Sequence, residues 1–340
     1  MKLRLLSFIL AILLCFPFGL TACQNEPTDV PDEPSTQEPS DAPETEDEGQ
    51  GEQEPADEPE NEPENEPFKN TAPTSLDVNG DGAIKILSLG NSFTVNTYKY
   101  FHQILTAEGV ENVTLGNLYQ PSCSLDKVAS FLNGNGAYAS YYKYNTEGVR
   151  TETKNYSPIT AIQEEDWDII TVQQVSGDSG QVNTFYPILD YIKVIIQENR
   201  TVKDGLLMWH MTWAYQHDAT NEKFALYNND QMTMYNSIVE AMTLGIAADP
   251  DFDMIIPAGT AIQNARTALG DTLTQDGYHL NPLGCYIAGY AWYTSLTGKT
   301  LDELKFAPTD FNLPDAWRNA ALKSANAVVD TPLAVTDIAE

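Results

Sequence analysis

The stretch IKILSLGNSFT, residues 84–94, contains the clearest information about the fold. An apolar run at residues 84–89 ends at Gly90 and leads through Asn91 and Ser92 into residues that suit a helix. A continuous apolar run is typical of a strand buried on both faces, as in parallel sheets covered by helices. The stretch therefore predicts a strand–turn–helix unit of an α/β domain, with Ser92 at the turn.

A serine at this turn has two interpretations. It can be a nucleophile, because the free amides and positive end of a helix N-terminus can hold the oxyanion that forms when its hydroxyl attacks a carbonyl. It can equally be a helix cap, a role that Thr94 could also fill. The motif alone leaves both interpretations open.

The chain beyond residue 69 alternates short apolar strands with helical stretches and has no internal repeat. Four further strands are predicted, at residues 113–119, 168–172, 205–209 and 252–256. Helices are predicted around residues 98–108, 185–198, 232–248 and 282–296. Residues 138–154 favour an inserted hairpin, since Tyr- and Thr-rich arms flank Glu147-Gly148. The alternation predicts a mainly parallel sheet covered by helices on both faces.

The first 22 residues have the organisation of a secretory signal. Lys2 and Arg4 precede an apolar run, residues 5–14, that is too short to span a bilayer comfortably. The ending LTAC resembles the lipobox of bacterial lipoproteins, in which a lipidated Cys23 becomes the first residue. An ordinary cleaved signal and an uncleaved anchor are the alternatives. We expect a protein of the bacterial cell envelope, lipid-anchored at Cys23 and facing the periplasm or the exterior.

Residues 23–75 are predicted to be a disordered acidic tether. Residues 24–68 contain 18 acidic side chains and no basic one. Such a segment cannot bury enough apolar surface to offset its ordering entropy, and like charges and prolines extend it. The folded domain is then predicted to occupy residues 76–340.

The composition of the folded part excludes several classes of partner and site. The chain has a net charge of −31, and from residue 69 onward it has 16 basic and 31 acidic residues. Nucleic acid is therefore a poor partner, and membrane contact is expected only through the lipid at Cys23. Cys123 and Cys285 form neither a disulfide framework nor a zinc pattern, and separate thiols are favoured over a disulfide.

One short motif resembles the first half of a calcium-binding loop. Residues 77–82, DVNGDG, have the spacing of the first half of such a loop. The twelfth position is Ser88, where a bidentate Glu is needed, and Ser88 lies inside the first predicted strand. We interpret the motif as a turn and predict no metal.

Polar and aromatic residues follow each predicted strand, where ligands bind in open α/β sheets. After the fourth strand the chain reads HMTWAY, residues 210–215. Aromatic faces are platforms for sugar rings, so His210, Trp213 and Tyr215 are candidate substrate-binding residues together with Asn91. Core packing or anchoring of a loop is the alternative for Trp213.

Near the end of the domain, Asp276-Gly277-Tyr278-His279 places a carboxylate and an imidazole on one short turn. A neutral imidazole aimed at a serine hydroxyl, with a carboxylate that fixes its tautomer, forms a catalytic triad. A surface or helix-capping histidine is the alternative, and His210 is a second candidate for the base.

The two motifs together resemble the first and last blocks of the SGNH/GDSL hydrolase superfamily. Here those blocks read GNSF at residues 90–93 and DGYH at residues 276–279. The chain is most similar to a bacterial SGNH-like subfamily of unassigned function, over residues 84–296. The resemblance implies a three-layer α/β/α, flavodoxin-like fold with a five-stranded, mainly parallel sheet in the order 2-1-3-4-5.

The resemblance also implies a set of site residues. Ser92 is the expected nucleophile, His279 its base and Asp276 the residue that orients the base. The amide of Ser92 is an expected oxyanion donor.

Two further oxyanion donors are expected where the sequence departs from the superfamily pattern. Ser122 replaces a glycine after the second strand, and Gln173 or Gln174 replaces an asparagine after the third. A serine amide can donate as a glycine amide does, and a glutamine side chain donates like asparagine. Gln174 is favoured, and Gln173 stays open.

The expected function is hydrolysis of small acyl esters, O-acetyl groups of glycans above all, by a monomer without metal or organic cofactor. Its partner is a small-molecule or glycan ester. The alternative is a non-catalytic glycan-binding protein on an SGNH scaffold, because a fold does not settle activity. A lipase or thioesterase would need a larger apolar lid.

Overall fold

A seven-stranded mixed sheet forms the centre of residues 70–339, which the computed structural model describes. The strands lie in the order β4-β3-β2-β1-β5-β6-β7. They are β1 (Ile84–Gly90), β2 (Val113–Tyr119), β3 (Tyr138–Tyr144), β4 (Arg150–Tyr156), β5 (Ile169–Val172), β6 (Leu206–His210) and β7 (Met254–Ile256). The α/β class predicted from the sequence is confirmed.

Helices cover both sides of this sheet. They are α1 (Ser92–Ala107), α2 (Leu125–Leu132), α3 (Pro158–Gln163), α4 (Ile188–Asn199), α5 (Gln231–Ala241), α6 (Ala258–Leu269), α7 (Pro282–Thr297) and α8 (Asp315–Asp330). Helices α1, α6, α7 and α8 pack on one another, and α2, α3 and α4 form a second group. No helix within residues 70–339 is long and apolar enough to cross a membrane.

Strand β1 lies inside the sheet, paired in parallel with β2 on one side and β5 on the other. Ile86, Leu87 and Leu89 are fully buried, which explains the continuous apolar run. The polar Ser88 in this run bonds Tyr98 Oη at 2.8 Å and Thr171 Oγ1 at 2.7 Å. Its hydroxyl is therefore satisfied inside the core.

The prediction of five strands was wrong, because the hairpin β3–β4 joins the sheet. Strand β3 pairs antiparallel with β2, and β4 pairs antiparallel with β3. The free edge of β2 would otherwise leave its backbone groups unpaired. The five parallel strands β2-β1-β5-β6-β7 are thus extended by two antiparallel ones.

The packed part of the chain begins before residue 76, where the sequence placed its boundary. The Asn70 side chain donates to Ile255 O at 2.7 Å and accepts from Ile255 N at 2.9 Å. The Asn70 amide thus pairs with the backbone N–H and C=O of Ile255, as a neighbouring strand would. The signal segment, Cys23 and the tether up to residue 69 lie outside the described residues.

The calcium-like motif forms a turn that its own side chains hold. Asp77 Oδ1 accepts from Gly80 N at 2.7 Å, and its Oδ2 accepts from Gly82 N at 3.0 Å. Within residues 70–339, no cluster of three or more His, Cys, Asp or Glu side chains is arranged to hold a metal ion. Cys123 and Cys285 are buried free thiols, and burial raises the pKa of each to about 12.

Candidate functional site

Ser92 is the first residue of α1, directly beyond the carboxyl end of β1. The helix is capped by Asn91, whose side chain accepts a hydrogen bond from Phe93 N at 3.0 Å. Ser92 does not cap the helix, because Asn91 holds that position. Its hydroxyl is left free for another partner.

That partner is His279. His279 Nε2 lies 2.8 Å from Ser92 Oγ, and His279 Nδ1 lies 2.6 Å from Asp276 Oδ2. The other Asp276 oxygen accepts from the backbone amides of His279, at 2.7 Å, and Tyr278, at 3.2 Å. Serine, imidazole and carboxylate therefore form one continuous hydrogen-bonded chain.

The turn that carries Asp276 and His279 is fixed by its own backbone. Gly277 has a φ of 93°, in the left-handed region that glycine adopts without strain. Gln275 N donates to His279 O at 2.9 Å, and Thr274 pairs with Leu280 in an antiparallel bridge. Because the chain reverses direction between Thr274 and Leu280, the carboxylate of Asp276 reaches the ring of His279 three residues later.

Two side chains connect this turn to α1. Asn96 accepts from Leu280 N at 3.1 Å. Trp213 donates from Nε1 to Tyr278 O at 2.8 Å and stacks on Phe93, with ring centroids 4.2 Å apart. The Trp213 indole therefore contacts both Phe93, the neighbour of Ser92, and Tyr278, the neighbour of His279.

The electrostatics of Asp276 favour its ionised form. Burial raises its pKa, but the hydrogen bonds from the His279 ring and from the amides of His279 and Tyr278 outweigh burial. The pKa of Asp276 is therefore held below its usual value. A carboxylate in this state can accept a hydrogen bond from His279 Nδ1–H, which leaves Nε2 free to accept the serine proton.

Ser92 and His279 line a cavity of about 500 Å³ at the carboxyl ends of the strands. Its other walls come from the ends of β2 and β5 and from the loops after β6. The further lining residues are Asn91, Phe93, Tyr119, Pro121, Ser122, Ser124, Val175, Ser176, Gly177, Asp178, Tyr215, Asn221, Glu222, Lys223 and Tyr278.

Ser122 occupies the position where the resemblance implies a glycine. Its φ is 48°, so the backbone is left-handed although the residue carries a side chain. The structure shows no acceptor within residues 70–339 for the amides of Ser92 and Ser122. Both amides belong to residues that line the cavity.

The side chains of Gln173 and Gln174, expected as oxyanion donors, make hydrogen bonds to neighbouring elements. Gln173 is buried and donates to Asn91 Oδ1 at 2.9 Å, while its Oε1 is bonded by Thr94 Oγ1 and His210 Nδ1. Gln174 donates to Thr184 Oγ1 at 3.0 Å and accepts from Leu125 N at 3.1 Å. Both side chains are bonded to neighbouring elements, and neither residue is among those that line the cavity.

The substrate-binding candidates divide into two groups. Asn91 and Tyr215 line the cavity, and Tyr215 Oη bonds Ser176 Oγ at 2.9 Å. His210 and Trp213 do not line it, because both are buried in the core. Burial lowers the pKa of His210 to about 3, and its Nδ1 contacts Gln173. His210 therefore has no route to the serine.

Sequence reasoning missed the cavity wall formed by Ser176, Gly177, Asp178, Asn221 and Lys223. The run SGDSG, residues 176–180, was a usable signal, since small and polar residues follow the third parallel strand. Residues 221–223 carried no such signal, because they lie far along the loop after β6. Only packing of that loop brings them to the cavity.

Comparison with known proteins gives a family and a structural neighbour. No curated protein matches the chain. The crystal structure of a DUF4886 family protein from Bacteroides uniformis is 36% identical, with a TM-score of 0.71. The match covers 75% of this chain and 98% of that one. The family model for the domain of unknown function DUF4886 matches residues 85–326, and the chain therefore belongs to the DUF4886 family.

Proposed function

We propose that the protein is a serine ester hydrolase of the SGNH type that removes small acyl groups, O-acetyl groups of glycans above all. The observation that carries the proposal is the chain of contacts from Ser92 Oγ through His279 to Asp276, at 2.8 and 2.6 Å. Both distances suit proton transfer between nucleophile and base and orientation of the base.

The mechanism follows from these contacts. His279 Nε2 takes the hydroxyl proton of Ser92 as Oγ attacks the ester carbonyl, and Asp276 stabilises the imidazolium. The tetrahedral intermediate expels the alcohol, which receives the proton from His279. Water, deprotonated by His279, then attacks the acyl-serine to form a second tetrahedral intermediate. Its collapse releases the acid and expels Ser92 Oγ, which takes its proton back from His279.

The amides of Ser92 and Ser122 are the proposed oxyanion donors. Within residues 70–339 neither amide has an acceptor, and the backbone of Ser122 is in the left-handed region. The buried Gln173 acts indirectly, since it holds the Asn91 side chain that caps α1. One donor fewer than usual costs about 2.7–4 kcal/mol in barrier, so a modest turnover is expected.

The lining of the cavity supports a small acyl group and a polar alcohol. Hydroxyls, charged groups and tyrosine rings share its surface, whereas a fatty acyl chain requires a continuous apolar one. The five parallel strands β2-β1-β5-β6-β7 follow the order 2-1-3-4-5, which supports a flavodoxin-like arrangement of the SGNH type. The lipobox-like LTAC ending supports action by a lipid-anchored protein at the cell envelope.

The proposal is tested with p-nitrophenyl acetate. The wild-type protein should hydrolyse this ester, and Ser92→Ala should lower kcat by a factor on the order of 10³ or more. Ser130→Ala, on α2 and outside the cavity, is the matched control and should retain full activity. A fluorophosphonate probe should label Ser92, as mapped on the modified peptide. Equal rates for wild type and Ser92→Ala would refute the proposal.

A non-catalytic glycan-binding protein is the second candidate. The engaged side chains of Gln173 and Gln174 favour it, because the cavity then lacks the third oxyanion donor. It predicts no Ser92-dependent hydrolysis and calorimetric binding of O-acetylated glycans by wild type and Ser92→Ala alike. Hydrolysis that depends on Ser92 excludes it.

A further inference from the structure

Four residues form a charged rim on the cavity: Asp178, Asn221, Glu222 and Lys223. Asp178 ends the turn Ser176–Asp178 after β5. Asn221 caps the turn Glu222–Tyr227, which begins with Glu222 and Lys223. Lys223 Nζ donates to Asp178 Oδ1 at 2.8 Å and joins the two turns. All four line the same cavity as Ser92 and His279.

The rim has unused hydrogen-bonding capacity of both kinds. Within residues 70–339, Asp178 Oδ2, Asn221 Nδ2 and the Glu222 carboxylate have no hydrogen-bond partner. Lys223 has two N–H groups beyond the one given to Asp178. Donors and acceptors therefore stand side by side, as the vicinal hydroxyls of a sugar require, because each hydroxyl both donates and accepts.

Local contacts join the two turns of the rim. A Cβ atom on Gly177 would lie 2.7 Å from Lys223 Cβ, so the lysine stem passes directly over this glycine. Asn221 Oδ1 accepts from Lys223 N at 3.0 Å and fixes the start of its turn. Tyr227 Oη donates to Gly177 O at 3.0 Å. These contacts hold the two turns from which Asp178 and Lys223 project, and their side chains are 19% and 49% exposed.

We infer that the charged rim is the subsite for the alcohol part of the substrate, a neutral polyhydroxylated ring such as a glycopyranoside. Tyr119 and Tyr278 line the same cavity and are only partly buried, so their rings are available for contact with the C–H surface of the sugar. Two carboxylates against one ammonium select against uronates and other anionic sugars. This inference rests on the proposed ester hydrolysis and names the alcohol that the site selects.

The test compares an O-acetylated methyl glycopyranoside with p-nitrophenyl acetate. The ratio of kcat/KM for the two esters measures selectivity for the sugar. Lys223→Met and Asp178→Asn should each lower this ratio about tenfold, the value of one lost charge-assisted hydrogen bond. Gly177→Ala should also lower it, because the new methyl group displaces Lys223 without removing its charge.

Controls separate this inference from the esterase proposal. Lys154→Met breaks an exposed ion pair with Glu152 on the hairpin and should leave the ratio unchanged. In the Ser92→Ala background, calorimetry with the same glycoside reports the subsite without turnover, and Lys223→Met should weaken that binding about tenfold. An unchanged ratio in both rim variants, or unchanged calorimetric binding, overturns the inference even if Ser92 is the nucleophile.

Discussion

At the scale of single residues, the site depends on Ser92, whose hydroxyl is not needed to cap α1 because the preceding residue, Asn91, caps it. Asn91 caps α1, so Ser92 Oγ is free to contact His279 Nε2 at 2.8 Å. Asp276 in turn is bonded by the ring and the backbone of His279. Each of these side chains makes a distinct contact in the chain of hydrogen bonds, so a single substitution can test each one.

The first prediction concerns Asp276 and His279. Asp276→Asn and His279→Ala should both lower kcat on p-nitrophenyl acetate by a factor on the order of 10³, with little change in KM. The imidazolium exists only along the reaction path, so its loss affects the transition state rather than substrate binding. Steady-state kinetics measures both constants. Near wild-type turnover in either variant contradicts the assignment.

The second prediction concerns His210, whose pKa burial lowers to about 3. Folded His210 stays neutral at pH 5, whereas an unfolded histidine binds a proton near pH 6.5. The unfolded state then holds more protons, so acidification from pH 7 to pH 5 removes about 2 kcal/mol of stability. His210→Gln should therefore show a weaker loss of stability between these pH values in urea unfolding.

His217→Gln is the control for this experiment because its linkage has the opposite sign. The hydrogen bond to Asp271 raises the pKa of the exposed His217. Its contribution to stability is present below the usual histidine pKa and is lost as the pH rises through the raised value. His217→Gln should therefore be less stable than wild type in acid. If the free energy of unfolding of His210→Gln falls with acidification in parallel with that of wild type, the assignment of the acid loss to His210 is contradicted.

At the scale of elements, α1 and the turn before α7 must be held at a fixed separation. Trp213, in the loop after β6, stacks on Phe93 of α1 and donates to Tyr278 O in the turn. It does not line the cavity, so we interpret it as a positioning residue. A movement of about 1 Å between nucleophile and base is enough to cost a large factor in rate.

The third prediction is that Trp213→Phe keeps an aromatic ring against Phe93 but loses the donor to Tyr278 O. We expect kcat to fall about tenfold with KM nearly unchanged, because the base is misplaced while the cavity wall is intact. Trp317→Phe, at a 40% exposed tryptophan on α8, is the matched control. A rise in KM with constant kcat would show that Trp213 contacts the substrate instead.

At the scale of the whole molecule, the folded part includes residues that the sequence placed in the tether. Asn70 exchanges two hydrogen bonds with Ile255 on β7, at 2.7 and 2.9 Å. Strand β7 is the last in the sheet, so this contact covers an otherwise open edge. Residues 70–75 thus belong with the domain.

The fourth prediction follows from that contact. A chain that begins at residue 65 should melt like the full-length protein, whereas one that begins at residue 72 should lose about 1–2 kcal/mol, the value of two hydrogen bonds. Asn70→Ala in the longer chain should reproduce the loss, as measured by thermal unfolding. If the chain from residue 72 is as stable as the chain from residue 65, the contact has no energetic value.

The sequence by itself determined the features that depend on local pattern. The apolar run of β1 and the alternation of strands and helices were readable from spacing and residue type. Ser92, Asp276 and His279 were candidates from residue type, and the resemblance of GNSF and DGYH to two superfamily blocks selected them over helix caps. They were readable because a buried parallel strand needs a continuous apolar run, and because a D-x-x-H turn joins carboxylate and imidazole within four residues.

Only the tertiary structure decided which polar residues face the cavity and how far the sheet extends. Gln173 and Gln174 follow β5, yet α1, α2 and the turn at Thr184 bind their amides. Lys223 reaches the cavity from a distant loop because its stem packs over Gly177. Hydrogen-bond partners of buried amides and the packing of long loops depend on contacts between distant segments, and one-dimensional spacing does not encode these contacts.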